Sequence, residues 1–264
     1  MCHDHDSRPP APPRTGDVAE RGVLTLISDD GTEFSAAYAA PPGRARAGVV
    51  VLPDIRGLHP YYAALVERFA QAGLVAVAID WFGRTAGVCD EPGTRAEDFD
   101  WQSHIPRTTP EGIDSDIAAA IAYLRERVSD DLPVVTVGFC FGGSHSWRQS
   151  GGTLDLAGCA GFYGKPSMVG EAATRAHLPT VMLIAGADQA TPVGDQLQLA
   201  DTMRSAGADV DAVVYDGAPH SFFDRSFPEW DDACRDAWEH LLALTDRVSE
   251  PRRRRGREAV TGVS

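Results

Sequence analysis

The run Val134-Val135-Thr136-Val137-Gly138-Phe139-Cys140-Phe141-Gly142-Gly143 constrains the fold of this chain more than any other stretch. A β-branched, uninterrupted apolar segment of this kind is a strand buried on both faces, as in a parallel sheet. It feeds directly into a glycine-framed turn, and that frame predicts a strand, a sharp turn and then a helix. Cys140 sits at the middle of the turn, in a strained conformation that points out of the sheet's carboxyl edge, while the flanking glycines admit neighbouring backbone. The following helix offers unpaired N–H groups and the positive end of its dipole, which favour a thiolate and can hold an oxyanion. The alternative is a buried structural thiol beside a glycine-rich turn.

Other segments repeat the same architecture. Gly48–Pro53 and Leu74–Asp80 are continuous apolar runs, and Tyr61–Ala72 between them has helical periodicity, which makes a βαβ unit. Val23–Ile27 and Phe34–Tyr38 flank Asp29-Asp30-Gly31, a turn signal that predicts an opening hairpin. Ile113, Ile117, Ile121, Leu124 and Val128 recur at helical spacing ahead of the cysteine strand. Thr180–Ala185 and Val210–Tyr215 supply later strands, with a helix over Asp195–Ser205 between them and a last helix over Glu229–Val248. This alternation predicts an α/β fold with a mostly parallel central sheet flanked by helices on both faces, and ligands at the carboxyl ends of its strands. One domain is expected over residues 18–248, after a proline-rich flexible leader at 1–17 and before a basic flexible tail at 249–264. The segment Arg84–Gly112 has no period yet carries Phe99, Trp101, His104 and Pro106, so it is read as an ordered excursion that walls the ligand pocket.

Composition narrows the function classes. The 264 residues carry a formal net charge of −14, which argues against nucleic acid or an anionic membrane as partner. No apolar run approaches the roughly 18 residues that span a bilayer, and the amino terminus lacks the pattern of a secretory signal, so a cytoplasmic location is the expectation. The 5 cysteines, at positions 2, 89, 140, 159 and 234, are odd in number and without a C-x-x-C pair, which implies reduced thiols rather than disulfides or a zinc site. Met1-Cys2-His3-Asp4-His5 has metal-capable side chains, but a frayed terminus does not preorganise a site, and no metal is expected. No nucleotide motif appears, so no cofactor is expected either.

Two further strands end in chemistry. Val181–Ala185 leads through Gly186 and Ala187 to Asp188, and Val213–Tyr215 leads through Asp216-Gly217-Ala218-Pro219 to His220. Asp188 is the natural orienting acid and His220 the natural base. The chain order of nucleophile, acid and histidine is that of the α/β-hydrolase fold, with each of the three at a strand end where distant segments converge. Ser144 and Ser146 lie outside the elbow frame, within the following helix, and are excluded as nucleophiles.

These residues bring the chain close to a known family. Gly138-Phe139-Cys140-Phe141-Gly142-Gly143, Gly161-Phe162-Tyr163-Gly164 and Gly217-Ala218-Pro219-His220-Ser221-Phe222 resemble the elbow, the G-x-Y-G stretch and the histidine loop of the dienelactone hydrolases. That resemblance spans roughly Val23 to Thr245. It implies a single-domain hydrolase that cleaves a lactone or ester, carboxymethylenebutenolide-like, with a Cys140-His220-Asp188 triad and a thioester intermediate. It further implies an oxyanion hole from the N–H groups of Ile55 and Phe141, and a substrate surface that includes Tyr163 and Trp81. Pro53-Asp54-Ile55-Arg56-Gly57 resembles the family's segment after the first long core strand, with Asp54 in place of the commoner Glu. That acid is implied to pair with the resting thiol.

Arg84, in Asp80-Trp81-Phe82-Gly83-Arg84, resembles the family's arginine for the substrate carboxylate. A second family arginine falls where this chain has Asp224, followed by Arg225, and Trp81 is bulkier than the usual aliphatic residue. The expected partner is thus a small ester or lactone, carboxylated where Arg84 is used. Two other readings stand beside it: a broader carboxylesterase for neutral esters, and a catalytically silent scaffold with a redox-sensitive Cys140.

Overall fold

A computed structural model describes residues 6–90 and 92–250. Its strands are β1 (Glu20–Ile27), β2 (Glu33–Ala40), β3 (Gly48–Leu52), β4 (Val75–Ile79), β5 (Val134–Phe139), β6 (Gly158–Phe162), β7 (Thr180–Ala185) and β8 (Val210–Tyr215). The helices are α1 (Pro60–Gln71), α2 (Gly83–Ala86), α3 (Trp101–His104), α4 (Pro110–Val128), α5 (Phe141–Gln149), α6 (Pro166–Val169), α7 (Val193–Ala206) and α8 (Asp231–Ser249). One sheet contains all the strands in the order β1-β2-β4-β3-β5-β6-β7-β8. β1 and β2 are antiparallel additions at one edge, and every pair from β4 to β8 is parallel.

Period-two alternation sends each central strand's side chains to two cores. Val49 and Val51 of β3 join Val135, Val137 and Phe139 of β5 under α1 and α8, where Phe69 packs edge-on against Trp238 at 5.0 Å. Val50 and Leu52 point to the other face, onto Ile113, Ile117, Ile121 and Leu124 of α4. A third cluster joins Trp147 of α5 to Met182 and Ile184 of β7 and to Leu199 and Met203 of α7. A fully buried side chain of this size contributes about 1.5–3 kcal/mol. The three clusters therefore clamp the sheet from both sides.

Helix starts follow local chemistry. Thr109 caps α4 by accepting from Gly112 N at 3.1 Å, with Pro110 at the first helical position. His59 caps α1 in the same way ahead of Pro60. Part of the proline-rich leader is packed rather than loose: Ser7, Pro9, Pro10 and Pro12 are buried, and Gly16 N donates to Gln71 O at 2.6 Å. Residues 1–5 and most of the basic tail lie outside the described residues. Among the described residues no helix is long and apolar enough to cross a membrane, and no cluster of metal-ligating side chains occurs.

Candidate active site

Sheet order explains how the site assembles. β3, β5, β6, β7 and β8 are consecutive parallel neighbours. The turns that follow them carry Asp54, Cys140, Tyr163, Asp188 and His220, all at one carboxyl edge. Hydrogen bonds from these turns to the neighbouring strands and turns tie this edge together. Cys140 N donates to Phe162 O at 3.0 Å, Tyr163 N to Leu183 O at 2.9 Å, and Ala187 N to Ala218 O at 2.9 Å.

Cys140 adopts φ 54° and ψ −111° between β5 and α5. A non-glycine residue in that region costs on the order of 1–3 kcal/mol and persists only where its surroundings over-determine it. Here the surroundings are backbone. A Cβ at Gly138 would stand 2.0 Å from Gly142 O, and one at Gly142 would stand 2.0 Å from Leu52 O, so only glycine lets β5, the turn and β3 approach. Among the described residues Tyr163 (φ 37°) and Ser221 (φ 66°) are the other non-glycine residues with positive φ, and both belong to the same edge.

His220 and Asp188 form a close pair, with Nδ1 and Oδ2 2.6 Å apart. Burial opposes the charged form of Asp188. The His220 hydrogen bond and charge, with the N–H groups of Ala190 and Thr191, outweigh it and hold the carboxyl below its ordinary value. An ionised carboxylate only accepts, so the Nδ1 that faces Asp188 carries a proton and Nε2 is turned away from that pair. The imidazole packs on the Tyr163 ring at 4.5 Å between centroids.

A cavity of about 570 Å³ opens on these groups, lined by Cys140, His220, Tyr163, Ile55 and Phe141 among others. Trp101 and Met168 add apolar walls, while Arg56 and Lys165 bring positive charge. Phe141 is the first residue of α5, where an N–H has no intrahelical acceptor. The N–H of its neighbour Gly142 is taken by Pro53 O at 3.0 Å. Ile55 lies in a turn closed by Asp54, whose Oδ1 accepts from Arg56 N at 2.9 Å. That is an Asx-turn, a geometry for which a short side chain is suited, and it gives the aspartate a physical reason. Asp54 is buried, with Tyr62 Oη donating to its Oδ2 at 3.0 Å and the Arg56 guanidinium 3.5 Å away.

The structure distributes the anticipated substrate residues differently. Tyr163 lines the cavity. Trp81 is buried beneath the cavity's Phe141 wall, its ring 5.4 Å from that of Phe141 and its Nε1 donating to Asp54 O at 3.0 Å. Arg84 is engaged elsewhere: it pairs with Asp30, with Asp116 at 2.8 Å and with Thr32 at 2.9 Å, which ties the β1–β2 turn to α4. Asp224 is also buried and serves as an acceptor for main-chain N–H groups. The excursion before α4 contributes Trp101 to the cavity. Arg56 and Lys165 escaped the sequence reading, although each stands directly beside a motif residue, after Ile55 and after Gly164.

A parallel sheet with a strained cysteine elbow and a His-Asp pair on one cavity defines an α/β-hydrolase. The chain belongs to the dienelactone hydrolase family, which its residues 34–249 match, and it is a hydrolase of ester or lactone bonds. Among curated relatives it is similar to Protein usf of Aquifex pyrophilus, with 29% identity over 78% of this chain and 90% of that protein. It is also similar to a provisionally named carboxymethylenebutenolidase of Salmonella typhi, with 25% identity over 86% of this chain and 88% of the other. The same fold recurs in a solved dienelactone hydrolase of Anabaena variabilis, with TM-score 0.64, 15% identity and coverage of 84% and 97%. An acylaminoacyl peptidase of Pyrococcus horikoshii shares it with TM-score 0.72 and 13% identity, over 90% of this chain and 43% of the larger protein.

Proposed function

We propose that this hydrolase works through a Cys140-His220-Asp188 triad and a thioester acyl-enzyme, on activated esters and lactones of the carboxymethylenebutenolide type. One observation carries the reading: a cysteine in strained geometry at a helix start shares a cavity with an imidazole already bonded to a carboxylate. His220 Nε2 takes the thiol proton, and the Cys140 thiolate attacks the acyl carbon. The carbonyl oxygen becomes an oxyanion held by the N–H groups of Ile55 and Phe141. The C–O bond then breaks, and the leaving oxygen departs as an enolate or alkoxide that takes the proton back from His220. In the second half-reaction His220 removes a proton from water, hydroxide attacks the thioester, and the thiolate is expelled. Thiolate is itself a good leaving group, so the cycle favours substrates whose expelled oxygen needs little protonation.

Asp54 supports this cycle by fixing the turn that carries the Ile55 N–H. Pairing with the resting thiol, as the resemblance implies, would add Cys140 to the partners its carboxylate already has in Tyr62 and Arg56.

The cavity's charge favours a carboxylated substrate, with Arg56 and Lys165 in the part the resemblance gave to Arg84. The apolar walls Trp101, Phe141 and Met168 suit neutral esters equally well, and a rate comparison decides. Wild type and Cys140→Ala are assayed on a carboxylated lactone and a neutral aryl ester, with mass spectrometry for an acyl adduct on Cys140. The expected result is turnover and a transient adduct in wild type and neither in the variant. Undiminished turnover by Cys140→Ala overturns the triad. Arg56→Met is expected to lose preference for the carboxylated substrate by about tenfold, since a charge-assisted contact is worth about 1.5–3 kcal/mol and the partial exposure of Arg56 puts it at the low end of that range; an unchanged preference selects the neutral-ester reading.

A further inference from the structure

The segment Asp6–Pro10 runs against the loop that follows the catalytic imidazole. Arg8 N donates to Asp224 Oδ1 at 2.9 Å, and Arg225 N returns a bond to Arg8 O at 3.0 Å. Ser226 Oγ donates to Asp6 O at 3.2 Å, and the Trp238 indole donates to Pro10 O at 3.2 Å. Pro9, Pro10, Pro12 and Pro13 have no N–H and hold their backbone in few conformations, so Arg8 N donates to Asp224 from the start of a stiff run. Ser7, Pro9 and Pro10 are buried in this position.

The other partner stands four residues beyond His220. Between them the chain passes through Ser221, with its unfavourable φ of 66°, and then buries Phe222 and Phe223. This stretch has no helical or strand ladder to hold it. Instead its carbonyls are taken one by one: Phe223 O accepts from Tyr61 Oη, Phe222 O from Cys234 Sγ at 3.4 Å, and Asp224 O from Phe227 N at 3.2 Å. Asp224 Oδ1 also accepts from Ser226 N at 2.9 Å, so one buried carboxylate oxygen bridges the leader and the histidine loop. An arginine at this position could accept from neither N–H. The departure from the family pattern at Asp224 thus accompanies the leader docked on it.

We propose that Asp6–Pro10 is a strap that positions the catalytic imidazole: anchored through Arg8 N to Asp224, it holds residues 221–224 in their strained course and so keeps His220 on Asp188. The proposal rests on the triad reading above. Arg8 and Asp224 touch no substrate, and both act through His220.

Arg8→Pro deletes the N–H that Asp224 accepts while leaving the chain length intact, and Arg8→Ala deletes the guanidinium while keeping that N–H. Asp224→Ala removes the acceptor. All are made in the full chain and compared with wild type and Cys140→Ala for kcat, KM, the pH dependence of kcat/KM and the thermal midpoint. Expected for Arg8→Pro is a fall in kcat of about tenfold with KM within about twofold, and a displaced acid limb in the pH profile. Arg8→Ala should follow wild type. Adding Arg8→Pro to Asp224→Ala should cost little more than Asp224→Ala alone, because that variant already removes the Arg8 bond along with the one from Ser226 N. If Arg8→Pro does not fold, Asp224→Asn, which exchanges a charged acceptor for a weaker neutral one, should shift the same acid limb. A wild-type kcat and pH limb in these variants, whatever the thermal midpoint does, overturns the strap and leaves the triad standing. Activity that survives Cys140→Ala removes both.

Discussion

Burial sets Cys159 and Cys234 apart from Cys140. It pushes Cys159 and Cys234 up to about 12, beyond any thiolate population at neutral pH, whereas Cys140 lies at a helix start on the cavity. Brief iodoacetamide treatment of the folded protein at neutral pH is therefore expected to alkylate Cys140 well ahead of Cys159 and Cys234, as read by peptide mass spectrometry. Equal labelling of the buried pair would contradict this. The Asp188 carboxyl makes a separate prediction. Its folded value is lowered, so it stabilises the native state above the ordinary carboxylate pKa of about 3.9, and that contribution is lost as pH falls through the lowered value. Asp188→Asn should lose less stability than wild type in urea unfolding between about pH 4 and pH 2. A parallel loss in both proteins would mean that the His220 pair contributes nothing there. The placement of Cys140, Asp188 and His220 at one edge of the sheet was legible in the sequence because each stands in a short turn after an apolar run. Partner choice was not legible in the same way. Arg84 has the fork that suits a carboxylate, but the carboxylates it meets are Asp30 and Asp116, from segments far away in the chain.

Strands rich in β-branched residues declared themselves: Thr180–Ala185 and Val210–Tyr215 have the bounds that periodicity gives. β6 did not. Gly158-Cys159-Ala160-Gly161 has no β-branched residue, and it is small because α5 presses on it: a Cβ at Gly161 would lie 2.5 Å from Trp147 Nε1. Neither strand order nor the elements that brace the turns can be read from a periodicity. The clearest such brace is Asp80, at the end of β4. It is buried with Arg95 at 2.7 Å, and it also accepts from Leu58 N at 3.0 Å and Phe82 N at 3.1 Å. One carboxylate thus joins the turn after β3, the start of α2 and the excursion that supplies Trp101. Removing one partner of a buried ion pair strands the other, at a cost of about 3–5 kcal/mol. Asp80→Ala should lose that much in equilibrium urea unfolding, and Arg95→Met less, since Leu58 and Phe82 keep their acceptor. A loss under about 1 kcal/mol for Asp80→Ala would show that the pair is not a brace.

Over the whole molecule, charge works at two ranges. The chain bears 38 acidic against 24 basic residues, a net −14, so its distant field repels an anion. Within the cavity the sign is reversed at Arg56 and Lys165. Salt distinguishes the two, because screening acts beyond the Debye length, about 30 Å at 0.01 M and about 10 Å at 0.1 M ionic strength, and acts least on a pair in contact. The Arg56 side chain is 20% exposed, so a carboxylate bound against it is only partly open to counterions. Raising ionic strength from about 0.01 to 0.1 M should then remove repulsion sooner than attraction. For a carboxylated ester kcat/KM should rise across that interval, while a neutral ester of the same shape stays level. Arg56→Met should keep the rise, since the repelling charges remain, but from a lower starting rate. A fall with salt in wild type that vanishes in Arg56→Met would reverse the argument: capture would then be governed by the cations of the cavity, with the surface charge too dispersed to matter.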